Sequence, residues 1–518
     1  MQNILLGFSE LMHPGMLFMV FSGVLLGVIV GAIPGLTTNM AIAIMVPVTY
    51  SMSPAAALVF LASIYCAGAY AGSIASILIG IPGTGAAVAT TIDGHPLAKK
   101  GRAGLAIYLA TVSSVFGGIL STFVLLLAAP QLARLAVKFG PAEFFTLGVF
   151  GMITVSSMSE SSSIIRGLIA GAFGLLLSVV GISPIAAAPR LTFGLYEIID
   201  GFPLVPVFIG LFGFGQILNS AVTETKGYKG QVTSIGKMWH RLKTWLQYWR
   251  TFLRSSLIGT ILGMIPGPGC VAAAFFAHDR EKRASKTPEK FGTGMPEGVV
   301  ATESANNAVV GSSLVPLLGL GVPGNSVSAL FLGALLLHGL RPGPSLFRNS
   351  PEVAFSMVIA MFLANLLMAP VGILVGRGFS YFLKVPKGLL QALILAICTV
   401  GTFSLRNNVG DVYIMLGFGV LSYFLKKLDV PLSPIVLGII LGPMVERSLH
   451  QALTLFDGSM IFLVTRPIPI VLILLTLWSL IGSIRQAIRR GRGGTKALGP
   501  KTGKSARREN KEGQVAGK

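Results

Sequence analysis

Long uncharged apolar windows recur along this chain, more of them than a soluble core can hold. Gly15 to Ile33, Leu105 to Pro130 and Val353 to Val375 carry no Asp, Glu, Lys or Arg, and neither do the shorter Val205 to Gln216, Gly388 to Phe403 and Ile468 to Ile484. A spanning helix needs about 20 mostly apolar residues; the shorter windows reach that length when extended at their ends. Only 11% of the 518 residues are charged and 53% are hydrophobic, whereas an ordinary soluble domain carries about 25% charged residues. Lipid is the natural solvent for the surplus. In lipid every backbone N–H and C=O must be satisfied within the chain, which leaves helices as the spanning element for windows of this length. The expected fold is an all-α polytopic membrane protein of about 12 spans. The first window follows a region without Lys or Arg and leads to no small-residue cleavage site, so it reads as a span and not as a removable signal.

The net charge of +21 is unevenly placed. Arg485 to Lys518 holds eleven Lys/Arg and two Glu, and Lys226 to Arg254 is a second basic stretch interleaved with Trp239, Trp245, Tyr248 and Trp249. A nucleic-acid surface has such a composition, but basic loops stay cytoplasmic and Trp and Tyr collect at the membrane surface. Both segments are therefore placed in the cytoplasm, and the tail beyond about Gly491 is expected to be disordered. This divides the chain into a first membrane half (1–225), a basic linker (226–254), a second membrane half (255–486) and a basic tail (487–518). Cys66, Cys270 and Cys398 lie in apolar surroundings without a CxxC or His/Cys cluster, so neither a disulfide framework nor a zinc site is indicated.

The two halves share a pattern. Gly27-Val-Ile-Val-Gly-Ala-Ile-Pro34-Gly35-Leu-Thr37-Thr38-Asn39 matches Gly259-Thr-Ile-Leu-Gly-Met-Ile-Pro266-Gly267-Pro-Gly269-Cys270: an apolar helix with glycines four apart, broken at Ile-Pro-Gly. Downstream each half breaks again, at Gly80-Ile-Pro82-Gly83-Thr84 and at Gly321-Val-Pro323-Gly324-Asn325-Ser326. Proline removes an N–H and clashes with the preceding turn. Four such breaks would strand bare backbone in lipid unless protein or a wet cavity surrounds them. Interrupted spans at matching places in two halves point to a transporter binding site. Helix N-termini at the breaks offer N–H donors and partial positive charge to an anion; opposed carbonyls suit a small cation. The sequence leaves the relation of the halves open between parallel and inverted. Analogy with other broken-helix carriers points to an inverted repeat.

Polar residues gather around the breaks. Thr37, Thr38 and Asn39 follow the first; Ser73 and Ser76 share a helix face leading to the second, with Thr84, Thr90 and Thr91 after it. In the second half Glu303, Asn306 and Asn307 are spaced i, i+3 and i+4, with Ser304 beside them. An ionisable group entering a membrane segment is a functional candidate: its oxygens are hard ligands for Na⁺, and the carboxylate can also carry a proton. The bland alternative is a helix-end hydrogen bond at the interface. Asp93-Gly-His95-Pro96 reads as a turn ahead of a proton relay, Asp411 as an interface pair with Arg406, and Glu446 as a loop charge. No nucleotide-binding or hydrolase motif is visible, so the chain is not expected to be an enzyme or to carry its own ATPase.

Two blocks resemble the large membrane subunit of the tripartite tricarboxylate transporters, the TctA family. One runs from Ala67-Gly-Ala-Tyr70-Ala-Gly72 through Gly80-Ile-Pro-Gly-Thr84 to Asp93-Gly-His-Pro96 and Lys99-Lys-Gly101. The other comprises Gly263-Met-Ile-Pro-Gly-Pro-Gly269, Glu297-Gly-Val-Val-Ala-Thr-Glu303-Ser-Ala-Asn-Asn307, Gly321-Val-Pro-Gly-Asn325 and His338-Gly-Leu-Arg341-Pro-Gly-Pro344. The spacing holds over most of residues 15 to 485. Departures are Ala67 and Ala71 in the family's Gly-Gly-x-Tyr-Gly-Gly, Gly80 for its Asn, Thr302 for its Pro, and Asn325 for its Ser or Thr. The resemblance implies a secondary importer of small carboxylates in the bacterial inner membrane, coupled to Na⁺ or H⁺. It would work with a periplasmic solute-binding protein and a small four-helix membrane subunit. Other classes are an anion channel and a broken-helix carrier that needs no binding protein. Saturable uptake that depends on added binding protein separates the first reading from both.

Overall fold

The computed structural model describes residues 2–157, 163–222, 244–382 and 385–493; most of the basic linker and nearly all of the tail lie outside them. The first half contains Gln2–Leu11 (α1), Pro14–Ala32 (α2), Thr38–Val48 (α3), Pro54–Ile79 (α4), Ala87–Leu97 (α5), Ala103–Ala136 (α6), Pro141–Ser157 (α7), Ile164–Ser178 (α8), Leu204–Phe208 (α9) and Gly215–Val222 (α10). The second contains Trp249–Met264 (α11), Gly269–Ala284 (α12), Pro296–Ser312 (α13), Leu314–Leu320 (α14), Ser326–Leu337 (α15), Pro344–Asn349 (α16), Pro351–Arg377 (α17), Phe379–Phe382 (α18), Lys387–Arg406 (α19), Val409–Lys427 (α20), Leu432–Leu455 (α21), Phe462–Thr465 (α22) and Pro467–Gly493 (α23). A two-residue hairpin pairs Gly181 with Arg190. Among the described residues nine helical stretches are long and apolar enough to cross a bilayer, joined by shorter apolar helices such as Ile164–Ser178 and Ser326–Leu337. Several segments that cross part of the molecule fall short because Pro-Gly divides them.

Each break ends one helix and caps the next. The second-break helices end at glycines in the left-handed region, Gly80 at φ 70° and Gly321 at φ 78°, which a residue with a Cβ adopts only at a cost. Thr37 then caps α3, its Oγ1 accepting from Met40 N–H at 3.2 Å. Asn325 caps α15 in a reciprocal box: its Oδ1 accepts from Ser328 N–H and Ser328 Oγ lies 2.8 Å from Asn325 N.

The shared sequence pattern is also a shared packing. On α2, a Cβ added at Gly27 would stand 2.7 Å from Ile64 O on α4, and one at Gly31 would stand 2.7 Å from Gly68 O. On α11, one at Gly259 would stand 2.3 Å from Ala305 O on α13, and one at Gly263 would stand 3.0 Å from Val309 Cα. Small residues bring the backbones together, as membrane helices require when lipid gives no hydrophobic drive. At the second breaks, a Cβ on Gly83 would meet Gly31 O at 2.6 Å and Gly72 Cα at 2.8 Å; one on Gly324 would meet Gly263 O at 3.1 Å and Ser313 Cα at 3.3 Å. The contacts between halves are reciprocal too: α3 packs on α15, and α5 packs on α12. The helix after each first break thus meets the helix after the second break of the opposite half.

Helices α11 and α12 form a hairpin whose open end is tied by Glu281, which accepts from Thr251 Oγ1 at 2.8 Å and pairs with Arg254 at 3.0 Å. Asp93 departs from the turn reading. It lies within α5, 1% exposed, and its carboxylate is held by the second half. Oδ1 accepts from the N–H groups of Gly292, Gly294 and Met295 at 2.8, 3.1 and 2.8 Å, and Oδ2 lies 2.8 Å from His278 Nε2. A carboxylate with these distant partners has no need of the local bonds that make a turn. His95 is separate, its Nδ1 3.1 Å from Ile77 O. Asp411 does pair with Arg406. Glu446 is not a loop charge; it lies within α21 and pairs bidentately with Arg190, at 2.7 and 3.0 Å.

Candidate functional site

The breaks of both halves converge on one cavity of about 430 Å³. At the breaks it is lined by Thr37, Thr38 and Asn39 at the start of α3, Thr84 before α5, Gly267 before α12 and Gly269 at its first position, and Asn325 and Ser326 at the start of α15. Four helix N-termini, two from each half, therefore reach one space, whose lining also includes apolar side chains such as Val155, Phe212 and Leu432. The helix ends themselves bring a partial positive charge within the first turn. The two halves are stitched across the space. The Asn39 amide donates to Ser326 Oγ at 3.0 Å, and Gly267 N–H donates to Gly324 O at 2.9 Å.

Tyr65 and Asn306 form the floor. The Asn325 amide donates to the Tyr65 hydroxyl at 2.9 Å, and Ser313 Oγ lies 3.1 Å from the same oxygen. The Asn306 amide donates to Ala69 O at 2.9 Å and lines the cavity. The buried Thr84 Oγ1 has no hydrogen-bond partner. It is packed against Gly72 of α4, where an added Cβ would stand 2.6 Å from it.

Not every polar residue that the sequence singles out reaches this space. Pro34, Gly35, Pro82, Gly83, Pro266, Pro323 and Gly324 shape the backbone behind the lining. Ser73 and Ser76 turn back onto helix carbonyls: Ser73 Oγ donates to Tyr70 O at 2.7 Å, and Ser76 Oγ to Gly72 O and Ala87 O, both at 3.0 Å. Glu303 is fully buried away from the lining, where it accepts from Thr90 Oγ1 and, at 3.1 Å, from Ser114 Oγ. Its contacts again join the halves. Asn307 and Ser304 are buried with no partner for their side-chain polar atoms. No group of three or more His, Cys, Asp or Glu residues arranged to hold a metal occurs among the described residues.

Sequence reasoning missed Tyr65, Gln216, Lys426 and Cys270 as lining residues. Lys426, in the last turn of α20, donates to Gln216 Oε1, and Gln216 Nε2 donates to Gly35 O at 3.0 Å. The only sequence signal was a polar Gln216 at the end of an apolar window.

A polytopic membrane protein whose broken helices meet around one cavity is, by fold and site, a membrane transport protein. The family model described as "Tripartite tricarboxylate transporter TctA family" matches residues 17–437. The chain belongs to that family, as a large membrane subunit of a tripartite tricarboxylate transporter. It is 35% identical over 490 residues to the "Uncharacterized 52.8 kDa protein in TAR-I ttuC' 3'region" of Agrobacterium vitis, covering 95% of this chain and 97% of that protein. It is 36% identical over 234 residues to the "Uncharacterized protein in TAR-II ttuC' 3'region" of the same organism, covering 45% of this chain and 97% of that one. No solved structure matches.

Proposed function

We propose that this subunit is a secondary carrier that imports small di- or tricarboxylates across the bacterial inner membrane. One observation carries the reading: four helix N-termini, drawn from both halves, line a single cavity with Thr, Asn and Ser side chains. Their N–H groups and dipoles hold a carboxylate without a permanent buried charge. Because each half contributes to the site, a movement of one half against the other exposes the cavity to either side in turn. We read the halves as an inverted repeat and place the basic tail in the cytoplasm.

Coupling to Na⁺ or H⁺ is assigned to Glu303. This carboxylate binds hydroxyls of α5 and α6 from its place on α13, so its protonation or neutralisation by Na⁺ bears on contacts between the halves. Asn306, whose helix also carries Glu303, reaches the cavity and links the two places. In this reading a periplasmic solute-binding protein delivers the substrate and a small four-helix membrane subunit completes the assembly. The test is uptake of labelled carboxylates by vesicles holding the two membrane subunits, with Na⁺ and pH gradients imposed separately and binding protein added outside. Saturable, gradient-driven uptake that needs the binding protein supports the reading. Flux above about 10⁶ per second, beyond the turnover of a site that must close at each cycle, or uptake indifferent to both gradients, overturns it.

A further inference from the structure

We propose that Lys426 is the cationic contact for a second carboxylate of the transported anion, held at the cavity by Gln216. The inference rests on the carrier reading above and deepens it. Among the described residues that line the cavity, Lys426 is the one cationic side chain. It comes from α20, which carries none of the breaks, so it is independent of the helix ends that supply the first anion site. Its position is fixed by a relay: Lys426 Nζ donates to Gln216 Oε1, and Gln216 Nε2 donates at 3.0 Å to the carbonyl of Gly35, the glycine of the first break. The relay ties the ammonium to the break that begins α3. Asp429 also lines the cavity, but its carboxylate pairs with Arg166 at 2.7 Å.

An ammonium group has three donors and Gln216 Oε1 takes one. A half-buried lysine with donors to spare, on the wall of a space whose one other charged residue, Asp429, is paired with Arg166, is placed to bind an anion. Helix N-termini and Lys426 supply different chemistry. The N-termini are fixed dipoles that suit any carboxylate, whereas Lys426 adds a full charge at a separate point of the wall. A substrate with one carboxylate satisfies only the first. One with two satisfies both, so Lys426 sets the preference between them.

Succinate and butyrate share a four-carbon chain and differ by one carboxylate, which makes them the probes. Equilibrium binding of each, radiolabelled, is measured on the purified chain in detergent for wild type, Lys426→Gln, Lys426→Met and Lys426→Arg. Losing a hydrogen bond to a charged group weakens binding about ten- to a hundredfold. That loss is expected for succinate in both neutral variants. Butyrate should change less than twofold, and Lys426→Arg should keep most of the succinate affinity. The ratio of the two affinities does not depend on how much active protein each sample holds. Unchanged succinate binding, or equal loss of both ligands in protein that elutes as folded, overturns the assignment while leaving the carrier reading intact. Should neither neutral variant elute as folded, Lys426→Arg decides by whether succinate selectivity is kept. A wild-type chain that binds neither ligand and transports no carboxylate overturns the carrier reading itself, and this inference with it.

Discussion

Replacing Asp93 by alanine removes a buried anion on which one half of the molecule closes over the other. The carboxylate accepts three backbone N–H bonds from residues 292–295, of 2.8 to 3.1 Å, and lies 2.8 Å from His278 Nε2. Losing a hydrogen bond made to a charged group costs about 1.5–3 kcal/mol. Each donor left unpaired adds about 1–3 kcal/mol, but the glycines at 292 and 294 let the loop relax toward water, so these costs do not add in full. With four hydrogen bonds to the carboxylate lost and the loop partly relaxing, the expected net loss for Asp93→Ala is about 3–5 kcal/mol. Asparagine is a sharper probe. Its Oδ1 still accepts the three N–H bonds, and His278 can turn its lone pair to the new amide by changing tautomer. Only the charge assistance is lost, roughly half the strength of each bond, for a cost of about 1–2 kcal/mol. The assay is the fraction of purified protein that stays monodisperse in gel filtration after heating in detergent. The order wild type, Asp93→Asn, Asp93→Ala is predicted, with the wide gap before alanine. An alanine variant as stable as wild type, or an asparagine variant as fragile as alanine, refutes the reasoning.

Two other substitutions address the site. Glu303→Gln keeps the shape and one accepting oxygen, leaving the other hydroxyl of Thr90 and Ser114 to turn and accept from the amide, but it cannot carry a proton or a full charge; coupled uptake should fall at least tenfold while membrane insertion is unchanged, and near-normal uptake removes Glu303 from the coupling site. Asn325→Ser keeps a capping side chain for α15 but loses the 2.9 Å bond to Tyr65, so protein stability should hold within about 1 kcal/mol while substrate affinity or selectivity shifts. Unchanged kinetics for every carboxylate tested make the position structural.

The broken-helix plan was legible because its cause is local. A Pro-Gly inside an apolar run interrupts a helix wherever the chain goes, and Gly27, Gly31, Gly259 and Gly263 announced the close crossings that the structure shows. What stayed hidden depends on neighbours far along the chain. Lys426 stands beside Lys427 at the end of an apolar helix with nothing local to set it apart; only the fold brings it to Gln216, 210 residues away in the sequence. Tyr65 sits in the middle of an apolar run, with nothing to mark it as a cavity wall. Asp93 has turn chemistry beside it, but its partners lie about two hundred residues on and outweigh that preference.

The spacing of Glu303, Asn306 and Asn307 shows the limit of a helix-face argument. Residues i+3 and i+4 lie on opposite sides of residue i, and α13 is surrounded by α4, α5, α6, α11 and α12. Each side chain therefore meets a different neighbour. Asn306 reaches the cavity, Glu303 reaches Thr90 and Ser114, and Asn307 is buried between helices.

The native cysteines offer a direct view of whether an anion sits where the helices break. Cys270, in the first turn of α12, lines the cavity and is partly exposed, whereas Cys66 and Cys398 are fully buried. Wild-type protein is treated with a small hydrophilic thiol reagent, with and without carboxylates, and the modified cysteine is located by mass spectrometry. A carboxylate held by the converging N-termini slows modification of Cys270 in proportion to its occupancy, and the other two thiols stay unmodified throughout. If Cys270 reacts at one rate whatever carboxylate is present, even at concentrations that saturate uptake, the anion is bound somewhere else.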